Sequence, residues 1–483
     1  MTNRLIVVAL LLTALTVSFV APAHAVPSEL KKAIDLYNKG NLAGAVAVLE
    51  PAAKAKPSDA NMQSWLGFLY LRTGKKELAV TTLEKAASLK PNNADILNNL
   101  GTAYTLTGDN DKALARYQTV VKLNPKSAEG RYNLANTYVK LGKIDEALPE
   151  YRAAAALNPK DASVQNSFAL AMQKKNGNSA ETISAFELAS RLAPNNCSYL
   201  VDLGLAYKSA GKLASARASL KQAATVCPND YSARTSYGDI LSDNNQNEEA
   251  AAEYAAALKI SPNQFVPQYN LAVVQSRLGH FADATISYRK ALELQPENVL
   301  AMSGLGWALF KTGKTDEAVT QLKAAQAKDP DSPDVSNNLA IIYTVQKNDQ
   351  GALEAWTNLL RVQPDNPSAL VSLGNIYLQQ SQTDKAIEHY QKAAKSDAKL
   401  AEPHIGLGLA YDKTSQVDKA IEEYRTAIKL NPDMSVAYNN LGAALEKKGQ
   451  TDEAIAQYKK ALEINKNQTD AKFNLERLTK SKP

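Results

Sequence analysis

Histidine is the residue type in this chain that is best suited to metal binding or general-base catalysis. Beyond residue 25 the histidines are His280, His389 and His404, which lie in different segments of the chain. Both kinds of chemistry require partner groups close to the imidazole, and these three are too widely spaced to supply one another. We therefore interpret all three as solvated surface residues.

Two glycine-containing stretches resemble nucleotide-binding loops without matching them. In GWALFKTGKT, Gly306 and Gly313 are seven residues apart, whereas the two glycines of a phosphate-binding P-loop are about five apart. The glycines of GLGLAY, which begins at Gly406, belong to a periodic pattern, as Gly306 and Gly313 do. We predict that the protein is not an enzyme and uses no catalytic residue, metal, cofactor or small-molecule substrate.

The periodic pattern is a 34-residue repeat that runs from Val26 to Gln468. A proline marks it in eleven units: Pro57, Pro91, Pro125, Pro159, Pro194, Pro228, Pro262, Pro296, Pro330, Pro364 and Pro432. An alanine and a small residue, usually within LG or LA, recur at the same interval. The fifth unit has 35 residues, and its extra residue falls in the stretch 173–182.

The residue types of the repeat predict a helical hairpin. Apolar residues recur every three or four positions within each unit, which is the periodicity of a helix. A glycine in mid-unit, such as Gly108, ends the first helix because glycine adopts positive φ at little cost. The proline ends the second helix because it lacks an N–H group and clashes with the preceding turn. A hairpin of this kind cannot bury its apolar face alone, so the hairpins must stack into an all-α solenoid.

These residues resemble the tetratricopeptide repeat family. The family skeleton of small residue, tyrosine, glycine, alanine, aromatic residue and proline is matched in one unit by Gly101, Tyr104, Gly108, Ala113, Tyr117 and Pro125. The resemblance implies a right-handed α-solenoid superhelix of thirteen helix-turn-helix repeats over residues 26–468. It also implies that residues 469–483 form a C-terminal capping helix.

The first 25 residues have the pattern of a secretory signal peptide. MTNR is short and positive, Leu5 to Val20 is apolar, and Ala23 and Ala25 occupy the −3 and −1 positions of a cleavage site. A retained transmembrane anchor is the alternative, but 16 apolar residues are short for a membrane span. We predict cleavage before Val26, a periplasmic or secreted mature protein, and no membrane span after cleavage.

The charge of the chain excludes one class of partner. The formal net charge is +6, from 55 basic and 49 acidic residues that are spread along the whole sequence. So small a surplus, without any block of like charges, is not the footprint of a nucleic-acid-binding protein. We predict protein or peptide partners and no nucleic acid.

Two cysteines lie at the ends of one repeat. Cys197 opens the sixth unit and Cys227 precedes the proline that closes it. The two ends of an antiparallel hairpin lie side by side, and an exported protein meets oxidising conditions, so we expect a structural disulfide. The alternative is a pair of free buried thiols.

An asparagine recurs two residues before the small residue of the repeat. The six positions are Asn99, Asn133, Asn270, Asn338, Asn440 and Asn474. The series resembles the asparagine ladder in the repeat domain of O-linked N-acetylglucosamine transferase. That resemblance implies a concave groove in which asparagine amides hold the backbone of an extended peptide. The alternative is that these are solvated polar residues without a binding role.

Two aromatic pairs occupy positions that the packing of the repeat does not require. Trp65 and Phe68 are three residues apart, as are Trp307 and Phe310, so each pair lies on one face of a first helix. Because aromatic residues are enriched at interface anchors, we predict that both pairs line the same groove. Packing against the neighbouring first helix is the alternative.

The sequence therefore favours a non-catalytic scaffold that binds extended peptides or protein partners in a concave groove after export to a bacterial periplasm or cell exterior. The alternative is a structural component of an envelope secretion, assembly or polysaccharide-export machine, docked by its convex face or its ends. Mutations at the groove residues or on the convex face would distinguish the two.

Overall fold

A computed structural model describes residues 27–480. The predicted signal peptide lies outside the described residues. All regular secondary structure within 27–480 is α-helical, so the prediction of an all-α solenoid is confirmed.

Residues 27–480 divide into two compact units, with the boundary after residue 223. The helices up to the division are α1 (Ser28–Asn38), α2 (Leu42–Ala55), α3 (Ala60–Arg72), α4 (Lys76–Leu89), α5 (Ala94–Thr107), α6 (Asn110–Leu123), α7 (Ala128–Lys140), α8 (Ile144–Leu157), α9 (Ala162–Asn176), α10 (Ala180–Leu192), α11 (Cys197–Ser209) and α12 (Leu213–Val226). The division between the two units falls within α12.

The second unit continues with α13 (Tyr231–Asp243), α14 (Asn247–Ile260), α15 (Phe265–Arg277), α16 (Phe281–Leu294), α17 (Val299–Lys311), α18 (Thr315–Lys328), α19 (Pro333–Val345), α20 (Asp349–Val362), α21 (Pro367–Gln379), α22 (Thr383–Ser396), α23 (Glu402–Lys413), α24 (Val417–Leu430), α25 (Ser435–Lys447), α26 (Thr451–Ile464) and α27 (Thr469–Lys480). Odd-numbered helices up to α25 are the first helices of hairpins, and even-numbered helices are the second helices. The last helix, α27, follows the final hairpin.

Helix ends follow the glycine and proline pattern. Gly108, just after α5, adopts left-handed geometry with φ 89°, which glycine tolerates without a Cβ clash. The second helix α4 ends at Leu89, two residues before its proline. At the start of α21 the Asn366 side chain accepts a hydrogen bond of 3.0 Å from the Ala369 N–H group, and a proline takes the first helical position.

Four repeats place a residue other than glycine in this left-handed position. These residues are Asn245, Lys347, Ser381 and Ser415, with φ between 56° and 60°. A side chain with a Cβ is strained there by about 1–2 kcal/mol. We expect Lys347→Gly to raise the free energy of unfolding by about 0.5–1 kcal/mol and Gly313→Ala to lower it by about 1 kcal/mol. Urea unfolding followed by circular dichroism tests this, and shifts of the same sign in both variants would contradict it.

Small residues let the two helices of a hairpin approach closely. A Cβ atom added to Gly101 would lie 2.7 Å from Cε1 of Tyr117, and one added to Gly306 would lie 2.5 Å from Cγ of Leu322. Each glycine is on a first helix, and each large side chain is buried on the following second helix. The small residue therefore makes room for the large one, which close packing requires.

The first helices form the more closely spaced layer within each unit. Successive first helices touch in the pairs α3–α5 and α7–α9 of the first unit, and α13–α15, α15–α17, α17–α19, α21–α23 and α23–α25 of the second. Within residues 27–480, no two successive second helices approach each other as closely as these pairs of first helices do. A stack curves toward its tighter layer, so in each unit the exposed side of the first helices is the inner face.

The extra residue of the fifth unit lengthens a helix. The first helix α9 has 15 residues, whereas the first helices α7 and α11 on either side have 13. The lengthened helix ends at Asn176, and the φ of 67° and ψ of −153° of the next residue, Gly177, lie in a region that is essentially restricted to glycine.

Candidate functional site

The six asparagines predicted to line the groove lie on the inner layer and are half-buried. In four of them the amide Nδ2 donates to a side-chain oxygen on the preceding odd-numbered helix. The pairs and their N···O distances are Asn133 with Asn98 (3.0 Å), Asn270 with Asp239 (3.0 Å), Asn338 with Ser303 (3.1 Å) and Asn474 with Asn439 (3.3 Å). These bonds join successive odd-numbered helices, and each uses one of the two N–H groups of the amide.

The remaining two asparagines differ from these four. Oδ1 of Asn440 accepts a hydrogen bond of 3.3 Å from Nδ2 of Asn439, its neighbour in sequence. The side chain of Asn99 makes no hydrogen bond to any part of the chain that the structure describes. It is half-buried on α5, with its amide groups available to a ligand.

The first asparagine of the NN pairs is a site residue that the sequence prediction missed. Asn98 and Asn439 are 9% and 8% exposed, and each accepts a hydrogen bond from the asparagine on the next odd-numbered helix. Nδ2 of Asn98 also donates to Oε1 of Glu129 at 2.9 Å. Desolvation of this carboxylate raises the pKa of Glu129 above its usual range, and the bond from Asn98 opposes that shift. The recurring NN doublet was the sequence signal for this buried partner.

The first predicted aromatic pair belongs to a three-ring cluster. The ring of Tyr37 on α1 packs edge-on against Trp65 at 6.0 Å and against Phe68 at 5.3 Å, and Trp65 and Phe68 are 5.6 Å apart. Phe68 is only 8% exposed, whereas Trp65 is half-buried. Phe68 therefore packs between hairpins, and Trp65 keeps part of its ring on the inner face.

The second aromatic pair is accompanied by a cation. The rings of Trp307 and Phe310 are 5.6 Å apart, and both residues are half-buried. Nζ of Lys311 lies 5.7 Å from the Trp307 ring and 5.6 Å from the Phe281 ring. Cation–π attraction to two rings holds the ammonium group beside the aromatic pair.

Exposed aliphatic residues lie on the same helix as this second pair and on the first helices before and after it. On the inner layer, Val266 is 41% exposed, Leu300 is 52% exposed and Val345 is 64% exposed. They lie on α15, α17 and α19, three successive first helices. Stacking of the hairpins leaves these apolar side chains exposed to water. Exposed apolar patches of this kind mark interaction sites, so these residues are candidates for contact with a partner.

The structure corrects the interpretation of one histidine. His404 is half-buried in its hairpin, with Nδ1 2.6 Å from Oε2 of Glu423, so the expectation of a solvated residue is wrong. The two residues are 19 apart in sequence, on facing helices. Two other hairpins place an ion pair there, Arg131 with Glu150 (2.6 Å) and Arg234 with Glu253 (2.8 Å). In these three hairpins the two positions hold polar groups that join the two helices.

Both cysteines are disulfide-bonded, and no free thiol occurs in residues 27–480. We expect peptide mapping without reduction to join the Cys197 peptide to the Cys227 peptide. We also expect reduction to lower the free energy of unfolding by about 3 kcal/mol, because a loop of about 30 residues is released in the unfolded chain. Free thiols in the denatured, unreduced protein would contradict this pairing.

Two other features bear on chemistry. Within residues 27–480, no group of three or more histidine, cysteine, aspartate or glutamate side chains is arranged to hold a metal ion. The helices of the same range include none with the length and apolar character needed to cross a bilayer.

Sequence comparisons match most of the chain to families of known repeats. Residues 21–264 match the family described as cilia and flagella-associated protein 70 C-terminal domain. Profiles described as tetratricopeptide repeat or TPR repeat match residues 269–333, 307–356, 374–415, 413–449 and 435–468. A search of curated proteins gives no match.

Solved structures that are similar to this chain include Cut9 with Hcn1 in a hetero-tetramer of the APC/C, at 17% identity and a TM-score of 0.41, covering 94% of this chain and 97% of that one. Yeast Tom70 is 19% identical with a TM-score of 0.38, covering 82% of this chain and 97% of that one. MamA is 29% identical with a TM-score of 0.32, covering 34% of this chain and 95% of that one. Taking the family matches together, the chain belongs to the tetratricopeptide repeat family, and its residues 21–264 belong to the family described as cilia and flagella-associated protein 70 C-terminal domain.

Proposed function

We propose that the protein is a non-catalytic scaffold that binds extended peptides or protein partners on the inner face of its first helices. One observation carries the proposal, which is that large apolar side chains on this face stay exposed after the hairpins have stacked. Leu300 on α17 and Val345 on the adjacent first helix α19 are 52% and 64% exposed. Contiguous apolar surface that folding leaves in water is characteristic of interaction sites.

The family gives this proposal its general setting. The tetratricopeptide repeat fold is typical of protein-interaction scaffolds, and tetratricopeptide repeat proteins bind protein partners. The specific mode proposed here is binding along the inner face, with asparagine amides contacting a peptide backbone. Asn99 supports it because its amide is accessible and makes no hydrogen bond within the described chain. An amide offers both a donor and an acceptor, so it can pair with a peptide group whatever the peptide sequence.

We also propose that the scaffold works after export, in a periplasm or outside the cell. The support is the signal-peptide pattern of residues 1–25 and the cysteine pair, which suits an oxidising compartment. Expression of the full chain in a bacterial host, followed by N-terminal sequencing of the periplasmic fraction, tests this. A mature N-terminus at Val26 is expected, and retention of residues 1–25 would overturn it.

The binding proposal is tested by affinity capture from an envelope extract. The test variant carries Trp65→Ala, Asn99→Ala, Asn133→Ala and Trp307→Ala. Because Asn133 also joins two hairpins, circular dichroism must show native helix content before capture. We expect partners captured by the wild type to fall to background with this variant, because it removes aromatic anchors and amide contacts together.

A matched control changes the second helices instead. Four exposed aliphatic residues there, 42–57% exposed, are replaced with alanine: Leu78, Leu123, Leu157 and Ile286. This control is expected to retain every partner. If the control loses the partners and the inner-face variant keeps them, the inner face is not the binding surface.

Loss of the partners in the control variant alone would favour a structural component of an envelope machine that docks by its outer surface. One observation favours this alternative. The last turns of several second helices carry a partly exposed aliphatic residue, 37–42% exposed: Leu89, Leu123, Leu157, Ile260, Leu294 and Val362.

A further inference from the structure

The inner face of α15, α17 and α19 differs from the inner face on either side of it. We call Val266, Leu300, Trp307, Phe310 and Val345 the apolar strip. They lie on three successive first helices that touch in the order α15, α17, α19. Three of the five are more than 40% exposed, and the two aromatic rings are half-buried.

The equivalent positions in the flanking hairpins are polar. One repeat before the strip, Ser232 and Asp239 occupy the repeat positions of Leu300 and Trp307. One repeat after it, Ser368 and Asn375 take the same places. The apolar character is thus interrupted in the hairpins directly before and after the strip, and the repeat pattern alone does not require it.

Charge is also distributed unevenly around the strip. Helices α15, α17 and α19 carry one charged side chain each, Arg277, Lys311 and Asp334, whereas α14, α16 and α18 carry four each. The two cations lie in the last turns of α15 and α17, and the carboxylate lies in the first turn of α19. The inner face here is apolar with a basic edge.

The two cations are held in place without a carboxylate partner in the described chain. Arg277 donates to Oγ of Ser242 at 3.0 Å, and Lys311 lies over the Trp307 and Phe281 rings. Neither residue forms an ion pair with any carboxylate within residues 27–480. Their charges are therefore available to an anionic group beside the strip.

We propose that the apolar strip binds a protein segment whose aliphatic or aromatic side chains are flanked by aspartate or glutamate. The apolar side chains cover Leu300 and Trp307, and the carboxylates pair with Lys311 and Arg277. The inference rests on the proposed function, because it names the place on the inner face and the chemistry of the partner.

The test measures fluorescence anisotropy of two labelled peptide pools with the full chain. In one pool Leu, Phe and Ile alternate with Asp and Glu, and in the other they alternate with Lys and Arg. The acidic pool is expected to bind at least about tenfold more tightly, because the basic pool meets two like charges. Lys311→Glu is expected to reduce this preference about tenfold or reverse it.

Two matched aspartate variants locate the site. Leu300 and Ile286 are 52% and 57% exposed, on the adjacent helices α17 and α16, but only Leu300 is on the inner face. Leu300→Asp is expected to weaken binding of the acidic pool by about tenfold or more, and Ile286→Asp by less than about twofold. Equal losses in both variants, a preference for the basic pool, or no binding of either pool would overturn the inference.

The outcomes also separate this inference from the proposed function. If Leu300→Asp has no effect while the Trp65, Asn99, Asn133 and Trp307 variant loses its captured partners, the inner face binds but the strip is not the site. If neither variant has an effect, the proposed function itself fails.

Discussion

Replacing Tyr390 with alanine is expected to lower the free energy of unfolding by about 3–5 kcal/mol. Tyr390 on α22 is fully buried, and its hydroxyl donates to Oδ1 of Asn375 at 2.7 Å. Its ring lies against glycine on two helices. A Cβ atom on Gly374 of α21 would lie 2.5 Å from Cε1, and one on Gly406 of α23 would also overlap the ring. The substitution leaves a cavity at the interface between two hairpins, and neither glycine has a side chain that could fill it.

Urea unfolding and hydrogen exchange measure this effect. Exchange should rise most strongly in α21, α22 and α23, because a repeat protein loses structure locally around a weakened interface. Tyr390→Phe is the control, since it keeps the ring and removes one hydrogen bond, at a cost of about 1 kcal/mol. If Tyr390→Ala lowers the free energy of unfolding by less than about 1 kcal/mol, the ring does not stabilise the interface between these two hairpins.

Replacing Arg234 with alanine is expected to lower the free energy of unfolding by about 2–3 kcal/mol, the second largest effect expected of a single substitution. The guanidinium donates to both carboxylate oxygens of Glu253, at 3.1 and 2.8 Å, and its Nε donates to the Pro228 carbonyl at 3.1 Å. Both side chains are about four-fifths buried, at 22% and 17% exposure. Removing the arginine leaves a partly desolvated carboxylate without its cation.

A double variant separates the loss of the ion pair from the loss of packing. The sixth repeat has Leu200 and Ser219 at the equivalent positions, both buried. Arg234→Leu combined with Glu253→Ser copies that arrangement and leaves no unpaired charge. It is expected to recover at least half of the stability lost in Arg234→Ala, as judged by the urea midpoint. A double variant that is less stable than Arg234→Ala would contradict this.

The hairpin architecture could be predicted from the sequence because its determinants are local. Glycine at positive φ and proline after the second helix act within a few residues, as Gly108 and the end of α4 illustrate. Gly101 opposite Tyr117 is also within one hairpin, so the small and large residues of one repeat predict their own contact.

The bonds between hairpins could not be predicted in the same way. The bond from Asn133 to Asn98 joins residues 35 apart, and the curvature of the stack decides which side chains meet. The burial of His404 against Glu423 was missed for a related reason, since their separation of 19 residues becomes a contact only when two helices cross. Similarly, the sequence could place Phe68 beside Trp65 but not reveal which of the two is buried.

Photo-crosslinking at two matched positions tests most directly whether partners bind the inner face. Benzoylphenylalanine is placed at Leu300 on the inner face or at Ile286 on the second helix α16, where the native residues are 52% and 57% exposed. In envelope extract, crosslinks to another protein are expected from Leu300 and not from Ile286. Crosslinks from Ile286 alone would contradict the account and identify the second helices as the docking surface.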